Sequence, residues 1–200
     1  MDLIGTATAA RLEQVRTDLE HRVRRQIDVG PPLLRAGVLI PVFLRQDRAE
    51  ILFTRRTDTV LTHKGQISFP GGQHETTDAS LVQTALRETY EEIGLSPSRV
   101  SVLGELDDVF TAVSRFVITP IVGQVAGGID DLTLAPDEVR SIFTVPVDRL
   151  LDDRIHTTQS RTFDGHSYRI HYYAIEDDVV WGATGRILYQ FLKAWVQAGR

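Results

Sequence analysis

The order of the periodic segments is the feature that most restricts the fold of this chain. Residues 35–44 and 51–56 are apolar, β-rich runs separated by a polar stretch, which predicts a β-hairpin. Before them, apolar residues at spacings of three and four predict an amphipathic helix over residues 8–28. A second helix is expected from about 80 to 93, ended by Gly94 in the position after the last helical residue.

The second half of the chain continues this alternation of strands and helices. Strands are expected to begin at about 99–103, to cover 116–125 and to form a short extended piece at 141–147. Asp164-Gly165 between alternating residues predicts a further hairpin, and the apolar face of 184–197 predicts a final helix. Strands interspersed with helices in this order predict a mixed α/β fold.

Length, charge and cysteine content limit the class of protein. Two hundred residues, of which 42% are hydrophobic and 24% charged, are typical of one globular domain. A net charge of -5 disfavours a nucleic-acid-binding protein, and the absence of cysteine excludes disulfides and thiolate zinc sites. The longest apolar run, 36–44, is too short to span a membrane, so we expect a cytoplasmic protein with no membrane partner.

Three carboxylates stand close together on the second helix. Glu88, Glu91 and Glu92 are spaced i, i+3 and i+4, which places them on one face, away from the apolar face of the helix. One interpretation is a solvated acidic face, as charged side chains usually form. The other is a cation site, since repelling carboxylates near a helix C-terminus are unfavourable without one. Oxygen ligands of this kind suit Mg²⁺ or Mn²⁺.

A long loop before this helix, residues 61–78, carries the sequence Phe69-Pro70-Gly71-Gly72. The proline favours a rigid turn, and the two glycines allow the backbone to approach the helix closely. The carbonyl of Gly72 is therefore a candidate additional metal ligand.

The glycine pair and the carboxylate helix together resemble the Nudix hydrolases, whose motif is G-x(5)-E-x(7)-R-E-U-x-E-E-x-G-U, where U is bulky and apolar. The matching positions are Gly72, Arg87, Glu88, Glu91, Glu92, Gly94 and Leu95. Counted from Gly72, Asp78 stands at the position of the first glutamate of the motif, but eight residues instead of seven separate it from Arg87, and Thr89 occupies an apolar position. Asp78 or Glu75 is expected to take the role of that acid, an ion pair with Arg87.

The segment before this motif is similar to the coenzyme A pyrophosphatase branch of the family, with the pattern L-L-T-x-R-[SA]-x(3)-R-x(3)-G-x(3)-F-P-G-G. Its matching positions are Leu52, Thr54, Arg56, Gly65 and Phe69 to Gly72, whereas Phe53, Thr57 and Leu61 depart from it. The resemblance implies hydrolysis of the pyrophosphate of coenzyme A or acyl-CoA. Alternatives are hydrolysis of another nucleoside diphosphate derivative (ADP-ribose, NADH or a dinucleoside polyphosphate) and a silent nucleotide-binding module.

The resemblance also implies a fold and a set of site residues. The expected fold is a Nudix-type α/β/α sandwich with a mixed sheet, in which residues 1–34 form a helical extension and 35–200 form the hydrolase domain.

Metal binding is expected at Glu88, Glu91, Glu92 and the Gly72 carbonyl. Glu91 or Glu92 is a candidate proton acceptor, and Glu138 is a weaker candidate base or extra ligand. Candidate phosphate contacts are Arg55, Arg56, Lys64 and His63. Strand alternation lets only one of the two arginines face substrate, and the branch pattern favours Arg56.

Overall fold

The chain folds around a mixed β-sheet. A computed structural model describes residues 3–28, 30–57, 65–111, 114–163 and 166–200. The helices are α1 (Leu3–His21), α2 (Leu81–Ile93), α3 (Val147–Leu150) and α4 (Gly182–Gln197), with one 3-10 turn at Pro97–Arg99. The strands are β1 (Leu34–Arg45), β2 (Arg48–Arg56), β3 (Ile67–Ser68), β4 (Gly71–Gln73), β5 (Val100–Glu105), β6 (Val109–Thr111), β7 (Phe116–Val125), β8 (Val139–Pro146), β9 (His156–Phe163), β10 (His166–Ile175) and β11 (Asp178–Val180). Within the described ranges, no helix combines the length and apolarity that a bilayer crossing requires.

Strand β1 lies at the centre of the main sheet and organises the site. It pairs in parallel with β7 along its length, and its opposite edge pairs antiparallel first with β4 and then with β2. Strand β3 pairs with the far end of β2. The short strands β3 and β4 therefore fill the gap where β1 and β2 diverge, and the Phe69–Gly72 turn lies in the middle of the sheet.

Alternating side chains of β1 and β2 build a separate core on each face of this sheet. Leu39, Phe43 and Leu52 pack with α2, whereas Ile40, Ile51 and their neighbours pack with α1 and α4. Apolar side chains on successive strand positions point to opposite faces, so both faces need a covering layer. The result is the expected α/β/α sandwich with a mixed sheet, and β9, β10 and β11 form a second, three-stranded sheet beside it.

The first helix is shorter at its C-terminal end than the periodicity predicts. It ends at His21, and Val23, expected on its apolar face, is 97% exposed. The amide of Asp108 donates to Arg25 O at 3.0 Å, and the amide of Ile27 donates to the Asp108 carboxylate at 2.9 Å. The prediction of helix to residue 28 is therefore wrong, because the backbone groups of Arg25 and Ile27 form hydrogen bonds with Asp108, just before β6, instead of continuing the helix.

Two other expectations need correction. Residues 61–78 are not a loop throughout, since they include β3 and β4, strands too short to show a periodic pattern. The last helix begins at Gly182, two residues earlier than expected. The hairpin strands β9 and β10 are present, and their predicted turn, Asp164-Gly165, lies outside the described residues.

Candidate active site

Helix α2 is held firmly above β1 before any charged group is considered. The Ser80 hydroxyl accepts a hydrogen bond from the Gln83 backbone amide at 3.2 Å, and the Gly94 amide donates to Tyr90 O at 2.8 Å, so both ends are capped, the C-terminal end by Gly94 as predicted. Beneath the helix, a Cβ on Gly37 would lie 2.3 Å from Leu81 O. Only glycine permits this approach, which brings the carboxylates of α2 close to the sheet.

Glu92 is the buried carboxylate of the helix, with only 4% of the residue exposed. Its Oε2 accepts the amide hydrogen of Gly71 at 3.1 Å, and its Oε1 lies 3.7 Å from Nη1 of Arg56. Burial raises the pKa of Glu92 to about 7, and the nearby charges of Glu138 and Glu88 act in the same direction. Glu92 can therefore exchange a proton near neutral pH.

Glu88 lies directly against the backbone of β4. A Cβ built on Gly72 would stand 2.4 Å from Glu88 Oε2, so the carboxylate occupies the space that any other residue at 72 would fill. Burial also raises the pKa of Glu88, although Arg87 opposes this effect. The glycine pair and the carboxylate helix, which the sequence predicted to approach each other, are in contact.

Asp78 takes the place of the acid that braces Arg87. Arg87 donates from Nε to Asp78 Oδ1 and from Nη2 to Oδ2, both at 3.0 Å. The Asp78 side chain is 1% exposed and also accepts from the Glu75 amide and the Thr84 hydroxyl. These bonds hold the pKa of Asp78 well below its usual range and raise that of Arg87. Of the two acids the sequence left open, Asp78 is the one that binds Arg87.

Glu91 lies at the open side of the helix, with 55% of its side chain exposed. Nη1 of Arg87 contacts Glu88 Oε1 at 3.0 Å and Glu91 Oε2 at 2.9 Å, so one guanidinium joins the two carboxylates. Within the described ranges, no three histidine or acidic side chains already converge as a metal site. The donor set nevertheless fits a hard cation, because all its groups are oxygens, and the absence of a Cβ at Gly72 lets the Glu88 carboxylate lie against the backbone of β4.

Glu138 belongs to this cluster although it is distant in sequence. It is exposed, yet its charge contributes to the raised pKa of both Glu88 and Glu92. Its loop is tied to α2 by the Ala135 amide, which donates to Glu92 O at 2.9 Å. Thr57 holds the same loop, donating its amide to Glu138 O at 3.0 Å and its hydroxyl to Asp137 O at 2.9 Å.

The two arginines at the end of β2 point to opposite faces, as alternation predicts. Arg56 lies beside Glu92, whereas Arg55 forms a two-pronged ion pair with Asp178 on β11. Strand pairing thus directs Arg56 toward the carboxylates and Arg55 toward the second sheet. His63 and Lys64, the other two candidate phosphate contacts, lie outside the described residues.

Sequence reasoning missed the supporting residues Thr57, Thr84 and Ala135. Two of them are threonines whose hydroxyls bind residues of the site, and the third contributes only a backbone amide. Nothing local in the sequence distinguishes such groups, because their partners come together only when the strands pair.

Comparison with known proteins agrees with this architecture. The family model described as NUDIX domain matches residues 33–165. An uncharacterized Nudix hydrolase, NudL, of Photorhabdus laumondii is 33% identical over 174 residues, which cover 84% of this chain and 91% of the relative. Nudix hydrolase 3 of Caenorhabditis elegans is 34% identical over 171 residues, covering 78% of this chain and 71% of the relative.

The fold and the carboxylate helix define a hydrolase of the Nudix class. This chain belongs to the Nudix hydrolase family, whose members act on pyrophosphate bonds of nucleoside diphosphate derivatives and use divalent metal ions. Among solved structures, a MutT/nudix family protein from Enterococcus faecalis superposes with a TM-score of 0.55, over 98% of this chain and 74% of that protein, at 11% identity. At that identity, the likeness supports the fold alone.

Proposed function

We propose that this chain hydrolyses the pyrophosphate bond of coenzyme A or acyl-CoA, giving 3′,5′-ADP and 4′-phosphopantetheine or its acyl derivative. The observation that carries the proposal is the contact between the two motifs. Arg56, from the segment similar to the coenzyme A pyrophosphatase branch, lies 3.7 Å from Glu92 of the Nudix helix. A guanidinium at this place suits a substrate phosphate.

The branch-like segment is also arranged around the carboxylates. The Thr54 hydroxyl lies 2.9 Å from that of Ser68, and Phe53 stacks on Phe69 with ring centroids 5.0 Å apart. These contacts hold the turn whose Gly71 amide binds Glu92. Thr54 and Phe69, which are shared with that branch, therefore support the same site instead of lying elsewhere on the surface.

Glu88, Glu91, Glu92 and the Gly72 carbonyl would hold Mg²⁺ or Mn²⁺. When bound, such a cation neutralises pyrophosphate charge and makes a water molecule more acidic. Cation binding at these carboxylates would leave the contacts of Arg87 with Asp78 in place, because those contacts use Nε and Nη2. The atom that contacts Glu88 and Glu91 is Nη1. Arg56 would contact a phosphate oxygen.

The attacking water must lose a proton, and two carboxylates are placed to accept it. Glu92 lies buried within the cluster, where its Oε2 accepts from the Gly71 amide. Glu138 faces the same cluster from an anchored loop. We assign the role to Glu92 first. A Glu138→Gln variant that loses the acidic limb of the pH–rate profile would move the role to Glu138.

The test is to incubate the purified protein with coenzyme A and Mg²⁺ and to identify the products by mass. Glu91→Gln is the matched control, because Glu91 is exposed and its loss leaves the buried contacts of α2 intact. Formation of 3′,5′-ADP and 4′-phosphopantetheine, abolished in the control, would support the proposal. Turnover of ADP-ribose, NADH or a dinucleoside polyphosphate, with none of coenzyme A, would replace the substrate and keep the site.

A further inference from the structure

Strand β9 presents a long free edge. It pairs with β10 over eight consecutive positions without a register shift, and with no other strand in the described ranges. Its residues 157–162 are all exposed, so the strand is open on both faces as well as along its outer edge. A two-stranded ribbon of this kind is marginally stable in water, and unpaired strand edges readily accept another strand.

The edges of β5, β8 and β11 are protected. Strand β5 contains a register shift, and two of its carbonyls accept from arginines of the N-terminal segment, Val102 O from Arg16 and Glu105 O from Arg22, both at 3.1 Å. The pairing of β8 is interrupted by a register shift at Arg55/Arg56. Strand β11 has only three residues. Bulges, covering groups and short length are the means by which proteins keep edges from pairing.

Strand β9 has none of these protections. Its sequence, His-Thr-Thr-Gln-Ser-Arg-Thr-Phe, contains no proline, no lysine and no acidic residue, and threonine favours extended structure. Arg161 is the one charged residue of the strand. Strand β9 is therefore an eight-residue edge, exposed over 157–162, that carries none of these protections.

We propose that β9 pairs antiparallel with β9 of a second copy of this chain. A two-fold axis through Gln159, normal to the sheet, would place Gln159 opposite Gln159 of the second copy, Thr158 opposite Ser160 and Thr157 opposite Arg161. Every pair is polar and no two like charges stand opposite each other, so the strand is complementary to itself. Such a contact is closed by symmetry and makes a dimer with a six-stranded sheet, not a fibre. The inference does not depend on the proposed substrate.

Charge substitutions at Gln159 and its neighbour Ser160 test this pairing. In the variant Gln159→Glu/Ser160→Glu, and equally in Gln159→Lys/Ser160→Lys, like charges at residue 159 face each other across the axis, and those at residue 160 add to the charge beside it. This repulsion is expected to weaken the dimer about fivefold or more. An equimolar mixture of the two variants places opposite charges in contact and is expected to restore dimers as heterodimers. Sedimentation velocity over a concentration series measures all four samples.

A matched control carries the same charge change elsewhere. Ser98→Glu/Gln197→Glu alters two exposed residues outside the second sheet and is expected to dimerise as the wild type does. The proposal is overturned if the wild type stays monomeric throughout the series. It is equally overturned if both double variants dimerise with wild-type affinity, since a dimer would then use another surface. Both substituted residues are exposed, so folding is preserved, and recovery in the mixture shows this directly.

Discussion

Arg87 donates two parallel hydrogen bonds to Asp78, from Nε to Oδ1 and from Nη2 to Oδ2, each 3.0 Å long. The same guanidinium reaches Glu88 and Glu91 through Nη1. One side chain thus connects the loop before α2 with two carboxylates of its outer face. The orientation of those carboxylates depends on a residue that would touch neither substrate nor cation.

Replacing Asp78 with asparagine should destabilise the protein. The substitution removes the negative charge that pairs with Arg87 and leaves the Arg87 guanidinium in place. We expect this to lower the free energy of unfolding by about 2–3 kcal/mol. The pKa of Asp78 in the folded state lies below its ordinary value of 3.8, so its contribution is present above that pH and disappears as the pH falls. Urea denaturation at neutral and acid pH measures this, and a difference from wild type that persists at low pH would contradict it.

Replacing Glu92 with glutamine should separate stability from activity. Burial raises the pKa of Glu92 to about 7, so the folded protein loses stability as the pH rises from 4.5 to 7. With a chelator present at pH 8, Glu92→Gln should therefore be more stable than wild type by about 3 kcal/mol, and no more stable near pH 4. Its turnover should fall about 100-fold or more.

Exposed Glu91 is the control for this stability effect. Glu91→Gln should lose turnover similarly, yet it should not become more stable at pH 8, because no burial penalty is removed. Equal stability of wild type and Glu92→Gln at pH 8 would show that the protein tolerates the buried charge without cost.

Replacing the two neighbouring arginines of β2 should have different effects, one on KM and the other on stability. Arg56→Ala is expected to raise KM for the substrate, because Arg56 faces the carboxylates, with little change in unfolding free energy. Arg55→Ala breaks the ion pair with Asp178 and is expected to lower stability while leaving KM near the wild-type value. Steady-state kinetics and denaturation of both variants decide the matter. An unchanged KM in Arg56→Ala would assign that residue to a structural ion pair.

A buried histidine should make the protein sensitive to mild acid. His171 is 2% exposed, and its Nδ1 lies 3.0 Å from Nε2 of His156. Burial lowers the pKa of His171 to about 4, with His156, Arg186 and Arg169 acting in the same direction. Between pH 6.5 and 4, His171 binds a proton in the unfolded chain but stays neutral in the folded one. The free energy of unfolding therefore decreases as the pH falls from 6.5 toward 4.

The variant His171→Phe keeps a ring against Tyr189, which stacks on His171 at 4.0 Å between centroids, and removes the titrating group. Its thermal midpoint should vary less than that of wild type between pH 6.5 and 4. Parallel pH curves for the two proteins would show that another group causes the acid sensitivity.

The parts of the site that the sequence predicted are those governed by local geometry. The spacing of Glu88, Glu91 and Glu92 places them on one helical turn whatever the rest of the chain does. Gly94 ends the helix through a hydrogen bond to Tyr90 O, and alternation along β2 separates Arg55 from Arg56. All of these relationships involve residues at most four positions apart.

Local patterns failed where a distant partner decides the structure. The apolar spacing of residues 8–28 fits a helix throughout, but the last part bonds to Asp108 and its neighbours, and the helix ends at His21. Strands β3 and β4 form because β1 and β2 diverge and leave backbone groups to be paired. The motif spacing alone left Asp78 and Glu75 as equal candidates to brace Arg87.

The carboxylate helix and the alternation of layers follow from the amino-acid sequence alone, because periodicity and short spacings encode them directly, and the motif that resembles the Nudix hydrolases indicated the family. The burial and raised pKa of Glu92, the pairing of Asp78 with Arg87 and the place of Glu138 in the cluster depend on the tertiary fold. Each of these depends on how much water a group loses and which charges surround it. Those quantities are set when the sheet brings together segments that are far apart along the chain.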